Sequence, residues 1–281
     1  MPSADEVRAS QRSTWDGLAP SWDRWDALIQ RQLAPMGAAM ITGLGIGDRQ
    51  RHLDVASGTG EPGLTVARLA PAGHVTLTDI APEMMQVAAR RAAAEGLGNV
   101  DTEVCSADAL PFDDASFDSV TMRLGYMFLP DLALATDELV RVLRPGGRLA
   151  SSVWGRREDN PWTTLVLDAV ATEIELPPVE PGAPSIFRCA APGVVTALYD
   201  AAGLRDVSEH DVAVELVAAS PQEYWAVLTD HVAPVAAALR RADDEQRGRI
   251  AERTLDSLRP FTQPDGSVRV PGAARVVVGT R

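Results

Sequence analysis

The sequence has little cysteine, no long apolar run and no dense basic segment. Its two cysteines, Cys105 and Cys189, lie far apart with no other Cys or His at ligand spacing, which argues against a disulfide framework and a metal site. No apolar run reaches the ~20 residues that a bilayer-spanning helix needs. The first residues also lack the apolar core of a secretory signal. These absences predict a cytoplasmic protein with no metal and no membrane partner.

The charge balance is acidic, with 26 basic against 39 acidic residues and a formal net charge of −13. Such a surface repels a phosphate backbone unless a local basic patch reverses the field, and the sequence has no such patch. Nucleic acid is therefore a poor candidate substrate. The composition favours a small-molecule substrate and leaves a homodimer open.

Short apolar runs alternate with helical patterns for about a hundred residues from residue 51, as in successive βαβ units around a parallel sheet. The predicted strands cover residues 51–57, 74–79, 100–106, 117–123 and 147–154. The predicted helices between them cover residues 62–69, 82–95 and 132–143. The last of these helices is predicted to stop at the "RPGG" segment.

The two ends of the chain extend this core. The patterns predict helices over 1–50, 160–176, 191–203 and 221–258, a surface loop over 177–185, and strands over 204–217 and 267–280. We therefore expect an α/β, Rossmann-like fold with a seven-stranded, mostly parallel sheet flanked by helices. Helices precede the sheet, and a helical cap at about 219–262 lies between the last two strands of a main domain spanning 51–281.

A glycine-rich turn raises the question of which ligand this core binds. "LDVASGTGEPGL" places Gly58, Gly60 and Gly63 in the G-x-G-x-x-G spacing typical of NAD or FAD sites, with Asp79 downstream as a candidate ribose ligand. Asp54 and Glu61 flank the turn, however, and each carboxylate would oppose a diphosphate by ~1 kcal/mol or more. The charges suit a cationic ligand better, although an NAD-dependent oxidoreductase remains an alternative.

Four motifs together resemble the class I S-adenosylmethionine-dependent methyltransferases. They are "LDVASGTG" (53–60), "LTDIAPEMM" (77–85), "SADALPFDDASFDSV" (106–120) and "ELVRVLRPGGRL" (138–149). The pattern is most similar to the ubiquinone and menaquinone biosynthesis C-methyltransferases and covers about residues 10–155. The chain departs from that branch at "MRLGYMFLPD" (122–131), which lacks the polar pair of the quinone enzymes. The departure weakens the case for quinone-precursor chemistry.

The resemblance implies S-adenosylmethionine as cofactor and assigns a role to each matching position. The methionine and ribose parts would lie against the glycine loop, and Asp79 would accept from the ribose hydroxyls. Asp108 and Ala109 would bind the adenine, and Ile80 and Met84 would sandwich it. The cofactor-binding residues implied in this way are Trp22, Asp54, Ser57, Gly58, Gly60, Asp79, Ile80, Met84, Asp108, Ala109 and Arg123.

Several of these residues also have structural interpretations. The glycines and Asp79 could serve only as a turn and a helix cap, and Ile80 and Met84 could be ordinary core residues. Arg123 could pair with the cofactor carboxylate or with a neighbouring acid. Residues 13–25, within the helical segment 1–50 expected to cover the cofactor, resemble the family segment that folds over the donor, where Trp22 would shield the sulfonium by a cation–π contact. Plain helix packing is the alternative for Trp22, as for Trp15 and Trp25.

Methyl transfer is a direct displacement, so the protein must mainly align the two reactants and exclude water. A base helps where the acceptor is a phenol, an enol or an activated carbon. Candidate catalytic residues are His231 and Tyr126, and candidate substrate-binding residues are Tyr126, Tyr224, Trp225 and His231. A packed histidine is the alternative for His231.

The cap is rich in Ala, Val, Leu and aromatic residues, so we expect a small apolar or aromatic metabolite, of the kind used in secondary metabolism, as acceptor. Methylation at carbon or oxygen is favoured over methylation at nitrogen. A protein that binds the donor without transferring the methyl group is a second alternative.

Overall fold

A computed structural model provides the structure of the protein for residues 2–176, 180 and 182–281. The loop predicted over residues 177–185 therefore lies partly outside the described residues. Helices cover both faces of one central sheet. Leu149 and Ala150, which are neighbours on one strand, pack into separate apolar clusters on the two faces.

The sheet has seven strands in the described chain. They are β1 (Arg51–Val55), β2 (His74–Asp79), β3 (Val100–Val104), β4 (Phe117–Arg123), β5 (Leu143–Trp154), β6 (Arg205–Ala218) and β7 (Val268–Thr280). Their order across the sheet is β3-β2-β1-β4-β5-β7-β6. The first five strands pair in parallel, and β7 runs antiparallel to both β5 and β6. The predicted mostly parallel, seven-stranded sheet is confirmed.

Ten α-helices surround this sheet in the described residues. They are α1 (Ala4–Arg24), α2 (Asp26–Leu44), α3 (Gly63–Leu69), α4 (Pro82–Ala94), α5 (Leu132–Val142), α6 (Pro161–Ala171), α7 (Val194–Ala201), α8 (Pro221–His231), α9 (Ala233–Arg241) and α10 (Asp244–Ser257). Capping boxes at Ser3 and Asp243 fix the starts of α1 and α10, because each side chain accepts from a first-turn N–H. The helices α8 to α10 lie between β6 and β7, as predicted.

The observed bounds depart from the predicted ones where backbone geometry intervenes. The first strand ends at Val55 rather than at residue 57, because Ala56 has a φ of 52° and turns the chain out of the sheet. The helix predicted over 221–258 is split into three. Its first break is at Val232, which has extended backbone, and Pro234 lies in the first turn of the next helix, because proline has no N–H with which to continue the preceding one.

The strand order places a crevice at one edge of the sheet. β1 lies between β2 and β4, so the connections leaving β1 and β4 diverge to opposite sides. In open parallel sheets, ligands bind at the carboxyl ends of the strands at this switch point. Burial agrees with this order: β4 is almost wholly buried, whereas the edge strand β3 exposes Asp101 and Glu103.

The start of α3 is packed very closely against the sheet. A Cβ added at Gly63 would overlap the Leu77 side chain and would lie 2.9 Å from Asp54 Oδ2. Both neighbours are buried and belong to strands, so they cannot move away without disturbing the sheet. Only glycine allows this helix to approach the sheet so closely.

Replacement of Gly63 by alanine should therefore destabilise the protein. We expect Gly63→Ala to lower the free energy of unfolding by about 1–3 kcal/mol, the usual cost of overpacking a core. Urea unfolding followed by circular dichroism measures this change. Gly248→Ala is the matched control, because Gly248 lies inside α10 with no atom within 4 Å of an added Cβ. The control should gain about 0.5–1 kcal/mol; equal stabilities of the two variants would contradict the packing argument.

Candidate functional site

A large cavity opens at the carboxyl ends of the parallel strands. It encloses about 1360 Å³ of empty space when its open mouth is included. Its walls come from the β1–α3 loop, the residues after β2 and β4, the helices α1 and α2, and the end of α8.

The glycine loop forms one wall of the cavity. Ser57 and Gly58 line it, and the Gly58 N–H donates to Asp79 Oδ2 at 3.0 Å. Gly58 has a φ of 56°, and a Cβ built on it would meet no atom of the described chain within 4 Å. The loop thus offers an open cradle to a ligand. Gly60 is different, because a Cβ there would lie 2.8 Å from Leu64 Cδ1, and it does not line the cavity.

The start of α3 offers no free N–H for a diphosphate. Gly63 N–H donates to Asp54 Oδ2 at 2.8 Å, Thr65 N–H donates to Glu61 Oε2 at 3.1 Å, and Leu64 N–H donates to the Gly60 carbonyl at 2.8 Å. The remaining first-turn residue is Pro62, which has no N–H. Dinucleotide sites rely on these free donors at a helix N-terminus. In this chain two of the protein's own carboxylates and the Gly60 carbonyl occupy them.

Asp54 supports the loop from below and does not line the cavity, which corrects its predicted place in the cofactor wall. Its carboxylate is fully buried and accepts from Thr121 Oγ1 at 2.7 Å as well as from Gly63. Burial raises the pKa of Asp54 to about 7, although these hydrogen bonds and the charge of Arg123 act in the opposite direction. Asp54 therefore joins β1, β4 and α3 rather than contacting a ligand.

Asp79 lies at the end of β2 and lines the cavity, as predicted. Its Oδ1 accepts from the Ala81 N–H at 3.0 Å, while Oδ2 accepts from Gly58. Burial raises the pKa of Asp79 to about 6, against the effect of these backbone hydrogen bonds. Each carboxylate oxygen can accept a second hydrogen bond, so the side chain can still receive two hydroxyl groups.

The predicted adenine pocket is only partly formed as expected. Ile80 and Met84 line the cavity, but Asp108 and Ala109 do not. Arg8 of α1 binds the Asp108 carboxylate through Nη2 at 2.7 Å, and Ser106 Oγ donates to it at 2.5 Å. Burial raises the pKa of Asp108, yet the bonds from Arg8 and Ser106 outweigh burial and hold it below its ordinary value.

Arg8 was not predicted from the sequence. It lies 100 residues from Asp108 in the chain, and no local pattern connects the two positions. The ion pair ties α1 to the loop after β3, and Arg8 itself lines the cavity. The carboxylate expected to contact the adenine is therefore already paired within the protein.

Arg123 brings a cation to the cavity from the end of β4. Its Nη2 donates to Oε1 of Gln30 at 3.0 Å, and it forms no ion pair within 4.0 Å among the residues that the structure describes. Neither Asp54 nor Glu61 pairs with it directly. Of the two partners considered from the sequence, a neighbouring acid and the cofactor carboxylate, these two acids are therefore excluded. Burial lowers the pKa of Arg123, against the attraction of both acids, but an arginine remains charged.

Aromatic side chains form the opposite wall. Trp22 lines the cavity and packs edge-to-face on Trp15, with ring centroids 6.2 Å apart. On its other side, Trp22 packs on His231 at 5.9 Å. A second pair, Trp154 and Trp162, lies with ring centroids 4.6 Å apart and also lines the cavity. Such a wall suits a flat or apolar ligand.

His231 is buried at the end of α8 and lines the cavity. Its Nδ1 lies 2.7 Å from the carbonyl oxygen of Val227. A carbonyl oxygen only accepts, so Nδ1 carries the proton and Nε2 of the neutral ring has a free lone pair. Burial lowers the pKa of His231 below its ordinary 6.5, against the effects of Val227 and Asp230. The ring is therefore neutral and can accept a proton at Nε2.

Three predicted acceptor-binding residues do not line this cavity. Tyr126 is fully buried, with its hydroxyl 3.1 Å from Thr136 Oγ1, and burial raises its pKa. The hydroxyl of Tyr224 donates to the carbonyl of Trp162 at 2.6 Å in the core. Trp225 faces α10 and α6 instead. We correct these three assignments, because core contacts hold the two tyrosines, and Trp225 is half-buried beside a separate surface pocket.

In the described ranges, no three His, Cys, Asp or Glu side chains come together in a way that could hold a metal ion. None of the described helices combines the length and apolar character that crossing a membrane would require.

Comparison with known proteins places these residues in context. A family model described as a methyltransferase domain matches residues 53–147. An uncharacterized protein of Mycobacterium tuberculosis is 37% identical over 148 residues, which are 53% of this chain and 51% of that protein. A demethylmenaquinone methyltransferase of Thermus thermophilus is 44% identical over 102 residues, which are 36% of this chain and 45% of that enzyme. The chain thus spans about half the length, or less, of the curated relatives it matches.

A solved structure agrees with the fold. The YcgJ protein from Bacillus subtilis superposes with a TM-score of 0.56 at 21% identity, over 88% of this chain and 97% of that one. At this identity the likeness concerns the fold alone. The glycine loop and Asp79 lie inside residues 53–147, which match a methyltransferase domain, and part of the chain is similar to demethylmenaquinone and ubiquinone/menaquinone biosynthesis methyltransferases.

Proposed function

We propose that the protein transfers a methyl group from S-adenosylmethionine to an oxygen or an activated carbon of a small, largely apolar or aromatic acceptor. One observation carries the proposal. A single cavity joins the glycine loop and Asp79 at one end to the aromatic wall and the neutral His231 at the other. Both reactants can then meet in one space from which the protein excludes water.

The residues present fit the cofactor. Gly58 leaves an open cradle, and Asp79 retains acceptor capacity for two ribose hydroxyls. Ile80 and Met84 supply apolar surface for a flat base, and Arg123 supplies a cation for a carboxylate. When bound, S-adenosylmethionine supplies an electrophilic methyl group attached to a sulfonium.

Trp22 and its aromatic neighbours contribute by orientation and by exclusion of water. An indole face near a cation contributes about 0.5–2 kcal/mol, depending on desolvation. The edge-to-face contacts with Trp15 and His231 hold the Trp22 ring in one orientation. A ring held in one orientation gives the space beside it a fixed shape. This shape helps methyl transfer, because the displacement depends on alignment of the two reactants.

His231 supplies the proton acceptor. Its Nδ1–H bond to Val227 fixes the tautomer and leaves Nε2 free for an acceptor hydroxyl. Because burial keeps the ring neutral, it can take a proton near neutral pH. A phenol or an enol is therefore the acceptor that this cavity serves best, and transfer to oxygen or to the adjacent carbon follows from it.

Two relatives are named as quinone-pathway methyltransferases, which suggests an aromatic acceptor with ring hydroxyl groups. The shared segment ends before most of the acceptor wall, so we leave the acceptor at that class. The acidic surface, with a net charge of −13, supports a small molecule rather than a nucleic acid. An NAD-dependent oxidoreductase is disfavoured, because the first-turn N–H groups of α3 are already occupied.

Two measurements test the function. Calorimetric titration should show binding of S-adenosylhomocysteine and none of NADH; the reverse would refute the assignment. Incubation with S-adenosylmethionine and a panel of phenols, indoles, amines and keto acids should add one methyl mass to a phenolic or enolic compound. Donor binding with no methylated product from any compound would favour a protein that binds the donor without transfer.

Asp79 should make binding of the cofactor product pH-dependent. Ribose hydroxyls donate to the ionised carboxylate, so bound nucleoside lowers its pKa below the value of about 6 in the free protein. We expect the affinity for S-adenosylhomocysteine to be full above pH ~6 and to fall by up to tenfold per unit below it. Calorimetry across this pH range measures the effect.

Asp79→Asn is the variant for this test, since an amide cannot ionise and accepts only through one oxygen. It should weaken binding at neutral pH and remove most of the pH dependence. An unchanged affinity, or a variant with the full pH slope, would exclude Asp79 from the ribose contact.

His231→Asn should lower turnover without weakening cofactor binding. Asparagine can keep the N–H bond to the Val227 carbonyl but has no basic nitrogen. We expect the rate of methyl transfer to fall by about 10²–10⁴, the usual contribution of a positioned base, and to lose its acid limb. His210→Asn is the control, because His210 is exposed on β6. Equal rates in the two variants would make His231 a packing residue.

A further inference from the structure

A glutamine on α2 has no role in the fold that its contacts explain. Gln32 is 2% exposed and lines the cavity between Ile29 and Leu33. Its amide nitrogen Nε2 is buried and has no hydrogen-bond partner in the part of the chain that the structure describes. A buried amide donor without a partner destabilises the folded protein, because it has lost its hydrogen bonds to water.

Gln30, two residues earlier, also has a buried Nε2 with no partner among the described residues, but it does not line the cavity. Its Oε1 accepts from Arg123, so it braces the cation that faces the cofactor. Successive helix residues are rotated by about 100°, so Gln30 and Gln32 point in very different directions from α2. Gln32 is therefore placed to serve something other than the Arg123 contact.

The position of Gln32 in the chain points to the acceptor. Apart from Trp22, the cavity residues that fit the cofactor, from Ser57 to Arg123, lie inside the matched methyltransferase domain at 53–147. Gln32 and His231 lie outside it, as do Trp154 and Trp162. Methyltransferases that share a donor differ in their acceptors, so we look for acceptor recognition in the walls outside the shared segment.

We propose that Gln32 selects the acceptor by donating a hydrogen bond from Nε2 to a carbonyl oxygen on an uncharged, planar molecule whose hydroxyl group faces His231. The inference rests on the proposed function and narrows its acceptor to hydroxyaryl ketones and related hydroxy-carbonyl compounds. Nε2 can only donate, so its partner must be an accepting atom. Most of the cavity wall is apolar; of its two arginines, Arg8 is paired with Asp108 and Arg123 is assigned to the cofactor carboxylate, so a charged acceptor would be desolvated without a partner.

Gln32 would discriminate between acceptors through its amide donor, which a wrong acceptor leaves without a hydrogen bond. A hydroxyaryl alkane of the same shape fills the cavity but leaves the Gln32 donor buried without a partner. Sites that hydrogen-bond a substrate group reject the analogue lacking that group for this reason. The same amide that destabilises the empty protein thus provides discrimination once the acceptor is bound.

The test is a binding measurement that needs no methyl transfer. Binding is followed by quenching of intrinsic fluorescence, since four tryptophans line the cavity: Trp15, Trp22, Trp154 and Trp162. The probes are para-hydroxyacetophenone and para-ethylphenol, with S-adenosylhomocysteine present. Wild-type protein should prefer the ketone by about five- to tenfold, the value of one neutral hydrogen bond.

Gln32→Leu should abolish that preference while leaving the affinity for S-adenosylhomocysteine unchanged. Because the variant removes an unpaired polar group, it should also be more stable to urea than the wild-type protein in the absence of ligand. Thr163→Val is the matched control. Thr163 is buried with an unpartnered Oγ1 but does not line the cavity, so this variant should gain stability and keep the ketone preference.

Other outcomes overturn the inference. It fails if wild-type protein shows no ketone preference, if Gln32→Leu keeps that preference, or if the variant loses affinity for S-adenosylhomocysteine, which would place Gln32 on the donor. The proposed function fails separately. If the ketone preference depends on Gln32 but no hydroxyaryl compound is methylated, Gln32 still recognises the ligand and the reaction assignment is the part that is wrong.

Discussion

The site depends on one buried carboxylate that joins three elements. Asp54 on β1 accepts from the Thr121 hydroxyl on β4 and from the first N–H of α3. A hydrogen bond to a charged group contributes about 1.5–3 kcal/mol, and the positive end of a short helix adds to it. The donors at the start of α3 therefore stabilise an internal acid, and the glycine loop is held where Gly58 can face the cavity.

Proton positions around Asp54 follow from the same contacts. When Asp54 is ionised, the Thr121 hydroxyl must donate to it, so Thr121 Oγ1 accepts from the Nε2–H of His52. His52 is buried, and burial lowers its pKa to about 3, so the ring is neutral, with Nδ1 2.8 Å from Ser119 Oγ. The Nε2–H of His52 and the hydroxyl of Thr121 then both point towards the carboxylate. Such alignment strengthens each bond and helps to keep a charge in a place that burial disfavours.

The parts of the site that could be predicted from the sequence rest on short-range patterns. Gly58 and Asp79 line the cavity because Asp79 ends β2 and Gly58 lies in the loop after β1, and the carboxyl ends of parallel strands meet at one edge. Gly60 and Asp54 belong to the same motif, yet they do not line the cavity. A motif identifies which residues a loop needs, but it does not separate those that touch a ligand from those that shape the loop.

The parts of the site that could not be predicted from the sequence depend on contacts between distant segments of the chain. Arg8 holds Asp108 across 100 positions of the chain, and no periodicity records such a pair. On α8, Tyr224 and His231 are seven residues apart and share one face, but they lie ~10 Å apart along the axis. Only the last turn reaches the cavity, and Tyr224 packs against α6 instead. The sequence indicates which face of a helix a residue occupies. How far along the helix axis that residue lies from the cavity depends on how the neighbouring helix packs.

Unpaired polar groups complete the distinction between residues that build the cavity and residues that use it. Asp54, Asp108 and Glu61 are all paired within the protein, and each proves to be a support. Arg123 and Gln32 line the cavity with polar capacity that the protein does not fully use. Selection for stability alone would replace such groups with apolar ones of similar shape. Glu61 also lines the cavity, but Thr65 and Arg68 already use its carboxylate, so unused polar capacity rather than position in the wall is the physical sign of where a ligand is bound.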